Sequence, residues 1–148
     1  MAASHAGRSV GEIVAEAAAC HRQGDLEAAE RLYREALGRH PTHFDAMHLL
    51  GVVLHQTGRH DAAAALITKA IAHNSRDPSA HNNLALALRK LGRHDEALAS
   101  VERALALAPD FLAAQNNRGN VLRDLGRRGE AIACYERVIA ADPSHAGA

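Results

Sequence analysis

The stretch LGRHDEAL at residues 91–98 returns as LGRRGEAI at residues 125–132, a distance of 34 residues along the chain. Shorter copies of the same turn begin at Gly58 and Gly24, so a glycine recurs with a period of 34 residues. A fixed period of this size indicates stacked copies of one small structural unit. We therefore expect function on a surface that crosses several copies, and not in a catalytic pocket.

The composition favours a globular, all-α protein. Of 148 residues, 47% are hydrophobic and 23% are charged, which is the balance of an ordered domain. Aromatic residues make up only 3% and Trp is absent, so Ala, Leu, Ile and Val must fill the interior. An interior of that kind is typical of closely packed helices.

The charge balance argues against partners that are recognised by a positive field. Lys plus Arg equals Asp plus Glu at 17 each, so the chain carries no net charge to attract nucleic acid or an anionic membrane. No stretch has the length of a signal-peptide core or of a membrane span. The sequence therefore predicts an unanchored cytoplasmic protein.

Each glycine is followed by an amphipathic segment that ends at a proline or at a serine in its place, and a second amphipathic segment leads to the next glycine. This alternation predicts four helical hairpins. The expected helices are 9–22, 25–38, 44–57, 60–73, 78–91, 94–107, 112–125 and 128–141. The expected organisation is a flexible N-terminus at 1–9, one domain at 10–143 with repeats at 10–43, 44–77, 78–111 and 112–145, and a short tail at 144–148.

The hairpin pattern resembles the tetratricopeptide repeat family, which has large, small and aromatic residues at fixed positions and a closing proline. The third copy carries it as His81, Leu84, Ala85, Leu88, Ala97, Val101, Ala104 and Pro109. The small residues Ala17, Gly51, Ala85 and Gly119 would let the two helices of each hairpin approach closely. The resemblance implies a right-handed α-solenoid that acts as a protein–protein interaction module and binds a protein or peptide in a concave groove.

In this family the first helix of each hairpin lines the groove, which implies a set of partner-binding residues. The candidates are His48, His55, Gln56, Asn82, Asn83, Arg89, Lys90, Asn116, Asn117, Asn120 and Arg123. Asparagine side chains can both donate to and accept from the backbone of an extended peptide. The Asn83 and Asn117 pair resembles the asparagine ladder of O-linked N-acetylglucosamine transferases, where such residues hold the backbone of the substrate peptide.

Two other interpretations of the asparagines stay open: an exposed helix face tolerates Asn, or the side chains bond between neighbouring repeats. Arg89, Lys90 and Arg123 would suit an acidic side chain or a terminal carboxylate, with Asp124 partly opposing them. The alternative for these cations is a solvated helix face. The spacing needed to clamp the carboxylate of a chaperone tail is not present.

The sequence predicts neither catalysis, nor a cofactor, nor a native metal site. The chain has 11 His but no HExxH motif and no clustered Cys and His, and repeat duplication explains the recurrence of His60 as His94. Cys20 and Cys134 lack the spacing of a redox or zinc pair, so we expect them to be reduced and structural. A glycine loop for phosphate and a nucleophile elbow are also missing.

The last predicted helix carries more apolar residues than its partner helix can cover. They are Ile132, Tyr135, Val138 and Ile139, and after Pro143 the pattern supplies no polar capping helix. Repeat arrays normally need such a cap. Two alternatives to a simple interaction module follow: a homo-oligomeric scaffold that associates through this end, or the substrate-recognition part of a larger glycosyltransferase.

Overall fold

The computed structural model describes residues 7–142, which form eight α-helices and no strand. The helices are α1 Val10–Arg22, α2 Leu26–Arg39, α3 Phe44–Gln56, α4 His60–His73, α5 Pro78–Lys90, α6 His94–Leu107, α7 Leu112–Asp124 and α8 Arg128–Ala141. Every end lies within one residue of its expected position. The all-α architecture of four hairpins is confirmed.

The chain forms two compact units, Met1–Ser75 and Arg76–Ala148. In the first unit α1 pairs with α2 and α3 with α4, while α3 also packs on α2 and on α1. The second unit repeats this plan, since α5 pairs with α6, α7 with α8, and α7 packs on α6 and on α5. Each unit thus buries its apolar faces between two stacked hairpins. The expectation of a single domain over 10–143 stays a prediction.

The last residues of the expected flexible N-terminus contact α1, and the flexibility of residues 1–9 stays a prediction. Ser9 forms a capping box with Glu12, and the guanidinium of Arg8 lies 2.7 Å from Glu16. The capping box satisfies two backbone N–H groups at the start of α1, those of Ser9 and Glu12. Residues 1–6 and the expected tail at 144–148 lie outside the described residues.

The recurring glycine is explained by its backbone conformation. The φ angle lies between +77° and +85° at Gly24, Gly58, Gly92 and Gly126. Residues with a side chain are strained in this conformation, whereas glycine is not. The residue after the glycine donates its N–H to a carbonyl in the preceding helix, as Arg93 does to Leu88 at 2.9 Å. This arrangement ends the first helix of each hairpin and turns the chain into the second.

The small residues inside the hairpins are also required by close approach. A Cβ atom at Gly119 would lie 2.7 Å from Cε1 of Tyr135, and one at Gly51 would overlap the side chain of Ile67. The equivalent Ala17 and Ala85 are 0% and 1% exposed. The expected steric role of these positions is therefore confirmed.

Candidate interaction surfaces

The clearest polar contact of the second unit joins the first helices of its two repeats. Nδ2 of Asn117 on α7 donates to Oδ1 of Asn82 on α5 at 2.9 Å. Asn82 is only 5% exposed. The expectation that Asn82 lines an open groove is therefore wrong: its side chain is buried and bonds between repeats, the alternative that the sequence left open.

The remaining asparagines of α7 form a different kind of surface. Asn116 and Asn117 lie four and three residues before Asn120, so each shares a face of the helix with it. Asn120 accepts a hydrogen bond from the hydroxyl of Tyr135 at 2.6 Å, and Asn116 is exposed. Within residues 7–142, no hydrogen bond engages Oδ1 of Asn117 or Nδ2 of Asn120. Asn83, one repeat earlier, is half-buried.

The basic residues at the ends of α5 and α7 are not equivalent. Nε of Arg89 lies 2.5 Å from Oδ2 of Asp124, and this hydrogen bond lowers the pKa of that carboxyl. The charge of Arg89, which the sequence assigned to the groove, is thus largely compensated by Asp124. Lys90 and Arg123 are exposed and have no ion pair among the described residues. They supply the positive charge of this surface.

In the first unit, the predicted groove residues are mostly engaged by their own neighbours. His48 is 5% exposed and its ring packs against Phe44, so the expectation that it lines an open wall is wrong. Nδ1 of His55, in the last turn of α3, lies 3.0 Å from Nδ1 of His60 at the start of α4, so the two rings meet within one hairpin. Gln56 is exposed, and its Oε1 lies 2.6 Å from Nε2 of His21.

Bonds between repeats follow a regular offset that the sequence analysis missed. The pairs His21–Gln56, Asn82–Asn117 and Arg89–Asp124 are each 35 residues apart. Residues that are 35 positions apart, one repeat plus one residue, face each other on the first helices of neighbouring repeats. Polar residues at this spacing that can bond to each other are the sequence signal that would have predicted these pairs. At the Asn82–Asn117 positions the first unit carries Val14 and Leu49.

The predicted self-association surface on α8 is smaller than expected. Ile132 and Ile139 are 49% and 46% exposed, whereas Val138 is 4% exposed. Tyr135 is half-buried and its hydroxyl bonds within the hairpin, so Val138 and Tyr135 belong to the interior. The open apolar stripe consists of Ile132 and Ile139, seven residues apart on one helix face.

Two further sequence expectations concern metals and membranes. Among the described residues, no group of three or more His, Cys, Asp or Glu side chains is arranged to hold a metal ion. Within the same part of the chain, none of the helices combines the length and apolar character needed to cross a bilayer. Cys20 and Cys134 are both free cysteines, the first half-buried and the second buried.

The chain has the features of a helical-repeat protein. Its paired helices recur every 34 residues, a glycine with positive φ ends the first helix of each pair, and small residues lie where the paired helices cross. Two family models, both described as tetratricopeptide repeat, match residues 21–78 and residues 77–144. The chain belongs to the tetratricopeptide repeat family.

Solved structures agree with this assignment. MamA 41-end from Desulfovibrio magneticus RS-1 is 20% identical, with a TM-score of 0.85 over 96% of this chain and 80% of that one. Another MamA structure is 24% identical, with a TM-score of 0.78 over 86% of this chain and 74% of that one. These two likenesses show the fold.

A further similar structure is an O-GlcNAc transferase of Thermobaculum terrenum carrying the K341M substitution. It is 30% identical, with a TM-score of 0.75 over 76% of this chain, but the match spans only 22% of that chain. The search of curated protein sequences returned no match.

Proposed function

We propose that the protein is a non-catalytic interaction module whose second unit binds an extended peptide along α7. The observation that carries this proposal is the fixed orientation of two asparagines. The amide nitrogen of Asn117 is bonded to Asn82, and the side-chain oxygen of Asn120 is bonded to the hydroxyl of Tyr135. Side chains that are already oriented lose little entropy when a ligand binds.

The unused groups of these two asparagines match a peptide backbone. The oxygen of Asn117 can accept from a peptide N–H, and the amide nitrogen of Asn120 can donate to a peptide carbonyl. The two side chains are one helical turn apart on α7, and the exposed Asn116 lies beside them. Contacts of this kind read the backbone and tolerate varied side chains.

The exposed cations give the ligand a preferred composition. Lys90 and Arg123 lie at the C-terminal ends of α5 and α7, about one turn beyond the asparagines. An acidic residue near one end of the peptide would be attracted to them. Because both cations are exposed, we expect this attraction to weaken at high salt.

The proposal is tested with peptides selected from a random phage-displayed library on the wild-type protein. Their affinities are then measured by calorimetry for the wild type and for Asn116→Ala, Lys90→Ala and Tyr135→Phe. Asn116→Ala removes an exposed carboxamide that would bond to the same peptide backbone, so it should weaken binding by about fivefold. Tyr135→Phe should act in the same direction because Asn120 loses its orientation.

The matched control is Arg103→Ala, which removes a positive charge from the exposed surface of α6. It should leave the affinity unchanged. Affinities that are equal for wild type, Asn116→Ala and Lys90→Ala would contradict the proposed face. Failure to select any binding peptide would count against the interaction module itself.

Self-association through α8 is a second candidate, favoured by the exposed Ile132 and Ile139. The equivalent of Ile132 in α6 is Leu98, which is 9% exposed where α7 packs on α6. A helix from a second copy could cover α8 in the same way. Sedimentation of the double variant Ile132→Lys/Ile139→Lys should then give a monomer at concentrations where the wild type associates, with Leu107→Lys as control.

A role as the substrate-recognition region of a larger glycosyltransferase is supported by the 30% identity to the Thermobaculum terrenum enzyme and by Asn83 and Asn117. The full reading frame tests this candidate directly. A catalytic glycosyltransferase domain joined to these repeats would support it, and an open reading frame without one would exclude it.

A further inference from the structure

A depression on the second unit lies outside the asparagine face, the surface of α7 formed by Asn116, Asn117 and Asn120. It has a volume of about 350 Å³ and is lined by Glu102, Leu105, Ala106, Gln115, Arg118 and Arg137. A second depression of about 330 Å³ shares Gln115 and Arg137 with it. Both are within the size range of ligand sites. On α7, Gln115 and Arg118 lie on the side opposite Asn116, Asn117 and Asn120.

Gln115 is not explained by the packing of the repeat. Its side chain is 9% exposed, and within residues 7–142 its buried Oε1 atom has no hydrogen-bond partner. The equivalent residues are Ile13 and Met47 in the first unit, which are apolar and 0% and 1% exposed, and His81 in the second unit, which is polar and 5% exposed. An apolar residue would therefore suit the core better than a glutamine whose oxygen is left unpaired.

Two guanidinium groups line the same depression. Arg118 donates to Sγ of Cys134 at 3.1 Å and lies 3.2 Å from Oε2 of Glu102, whose side chain is 48% exposed. Arg137 is exposed and has no ion pair in the described part of the chain. The first depression thus offers two cations and the half-exposed carboxylate of Glu102, and Asp110 lines the second depression.

We propose that this depression binds a carboxylate side chain of an acidic peptide. The carboxylate would sit between Arg137 and Arg118 and displace Glu102 from Arg118. The amide nitrogen of Gln115 has no hydrogen-bond partner among the described residues and can donate an N–H to the ligand. Leu105 and Leu112 border the two depressions and would contact an apolar residue next to the acid. This second binding surface goes beyond the proposed function on the asparagine face.

The probe is the blocked tripeptide acetyl-Leu-Glu-Leu-amide, compared with its uncharged analogue acetyl-Leu-Gln-Leu-amide. Titration is followed in amide proton–nitrogen correlation spectra, where the side-chain amide of Gln115 gives a resonance inside the site. The acidic peptide should shift that resonance and bind about tenfold more tightly than the analogue, since it makes charge-assisted hydrogen bonds.

Two variants should change the affinity in opposite directions. Arg137→Gln removes a cation and should weaken the acidic peptide by about tenfold. Glu102→Gln removes the competing carboxylate and should tighten it by roughly threefold, the scale of an exposed ion pair. Arg128→Gln removes a positive charge from the first residue of α8 and serves as the matched control that leaves the affinity unchanged.

Thermal unfolding of each variant checks that it is folded. Equal binding of the two peptides, an unmoved Gln115 resonance, or an affinity insensitive to Arg137→Gln would overturn the proposal. The asparagine-face variants Asn116→Ala and Lys90→Ala should not alter binding of this probe. Failure at the depression is therefore distinguishable from failure of the α7 peptide surface.

Discussion

Two tyrosines at equivalent repeat positions, the buried Tyr33 and the half-buried Tyr135, should respond in opposite ways to loss of the hydroxyl. Tyr33 is 0% exposed, and its hydroxyl has no hydrogen-bond partner among residues 7–142. Tyr135 stands three repeats later and donates to Asn120 at 2.6 Å. Ala18 occupies the position in the first repeat that Asn120 occupies in the fourth. The missing partner of Tyr33 is thus explained by one residue.

The expected magnitudes follow from these contacts. Tyr33→Phe removes a buried hydroxyl whose desolvation is not compensated, so it should raise the free energy of unfolding by about 1 kcal/mol. Tyr135→Phe removes a satisfied hydrogen bond and should lower it by about 1 kcal/mol. The melting temperatures should move apart, each by about 2–4 °C.

Ala18→Asn supplies the missing acceptor and completes the test. Asparagine costs up to about 0.7 kcal/mol relative to alanine in a helix, so the single variant should be near neutral with Tyr33 present. In the Tyr33→Phe background the same change should be destabilising. The double-mutant cycle should therefore give a coupling energy of about 1 kcal/mol.

The assay is urea unfolding of the four proteins of this cycle and of Tyr135→Phe, followed by circular dichroism at neutral pH. The reasoning is refuted if Tyr33→Phe destabilises the protein as much as Tyr135→Phe does. A coupling energy of zero between residues 18 and 33 would refute the proposed pairing geometry.

Three more stability predictions concern single residues. A hydrogen bond from Arg59 lowers the pKa of Glu30 from 4.5 to about 2, so this ion pair stabilises the fold fully above pH 4.5 and is lost as the pH falls towards 2. Glu30→Gln should therefore cost about 1 kcal/mol at neutral pH and converge with wild type in acid, as urea unfolding across pH will show. Gly119→Ala should destabilise by about 1–3 kcal/mol through overlap with Tyr135. Gly129→Ala, on α8 with open space around it, should stabilise by roughly 0.5–1 kcal/mol, and calorimetric melting separates the two.

The fold was predictable because the turn residues and the small packing residues recur with the same period. A glycine at positive φ ends each first helix, as Gly92 does, and a small residue at each hairpin crossing, such as Gly119, permits close packing. These features depend on residues near in sequence or exactly one repeat apart. Helix bounds could therefore be read from the period without knowledge of tertiary contacts.

The candidate site was only partly predictable because it depends on what covers each helix. The pattern of α5 alone could not distinguish solvent from the neighbouring α7, so Asn82 was assigned to an open groove although it is buried. Gln115 was overlooked because it occupies a position that the repeat pattern gives to a large core residue. A polar residue at a position that is apolar in the first two copies, as Ile13 and Met47 show, was the available signal.

The central claim, that α7 binds a peptide through its backbone, is tested most directly by amide-to-ester replacement in a selected peptide. An ester lacks the N–H that would donate to the side-chain oxygen of Asn117. Replacing the amide at that position of the peptide should therefore weaken binding by about fivefold. The companion variant is Asn82→Val/Asn117→Leu, which installs the Val14 and Leu49 pair that the first unit already carries. The account predicts that this variant binds the amide and ester peptides equally. An ester effect that persists in the variant, or that is absent from the wild type, would contradict it.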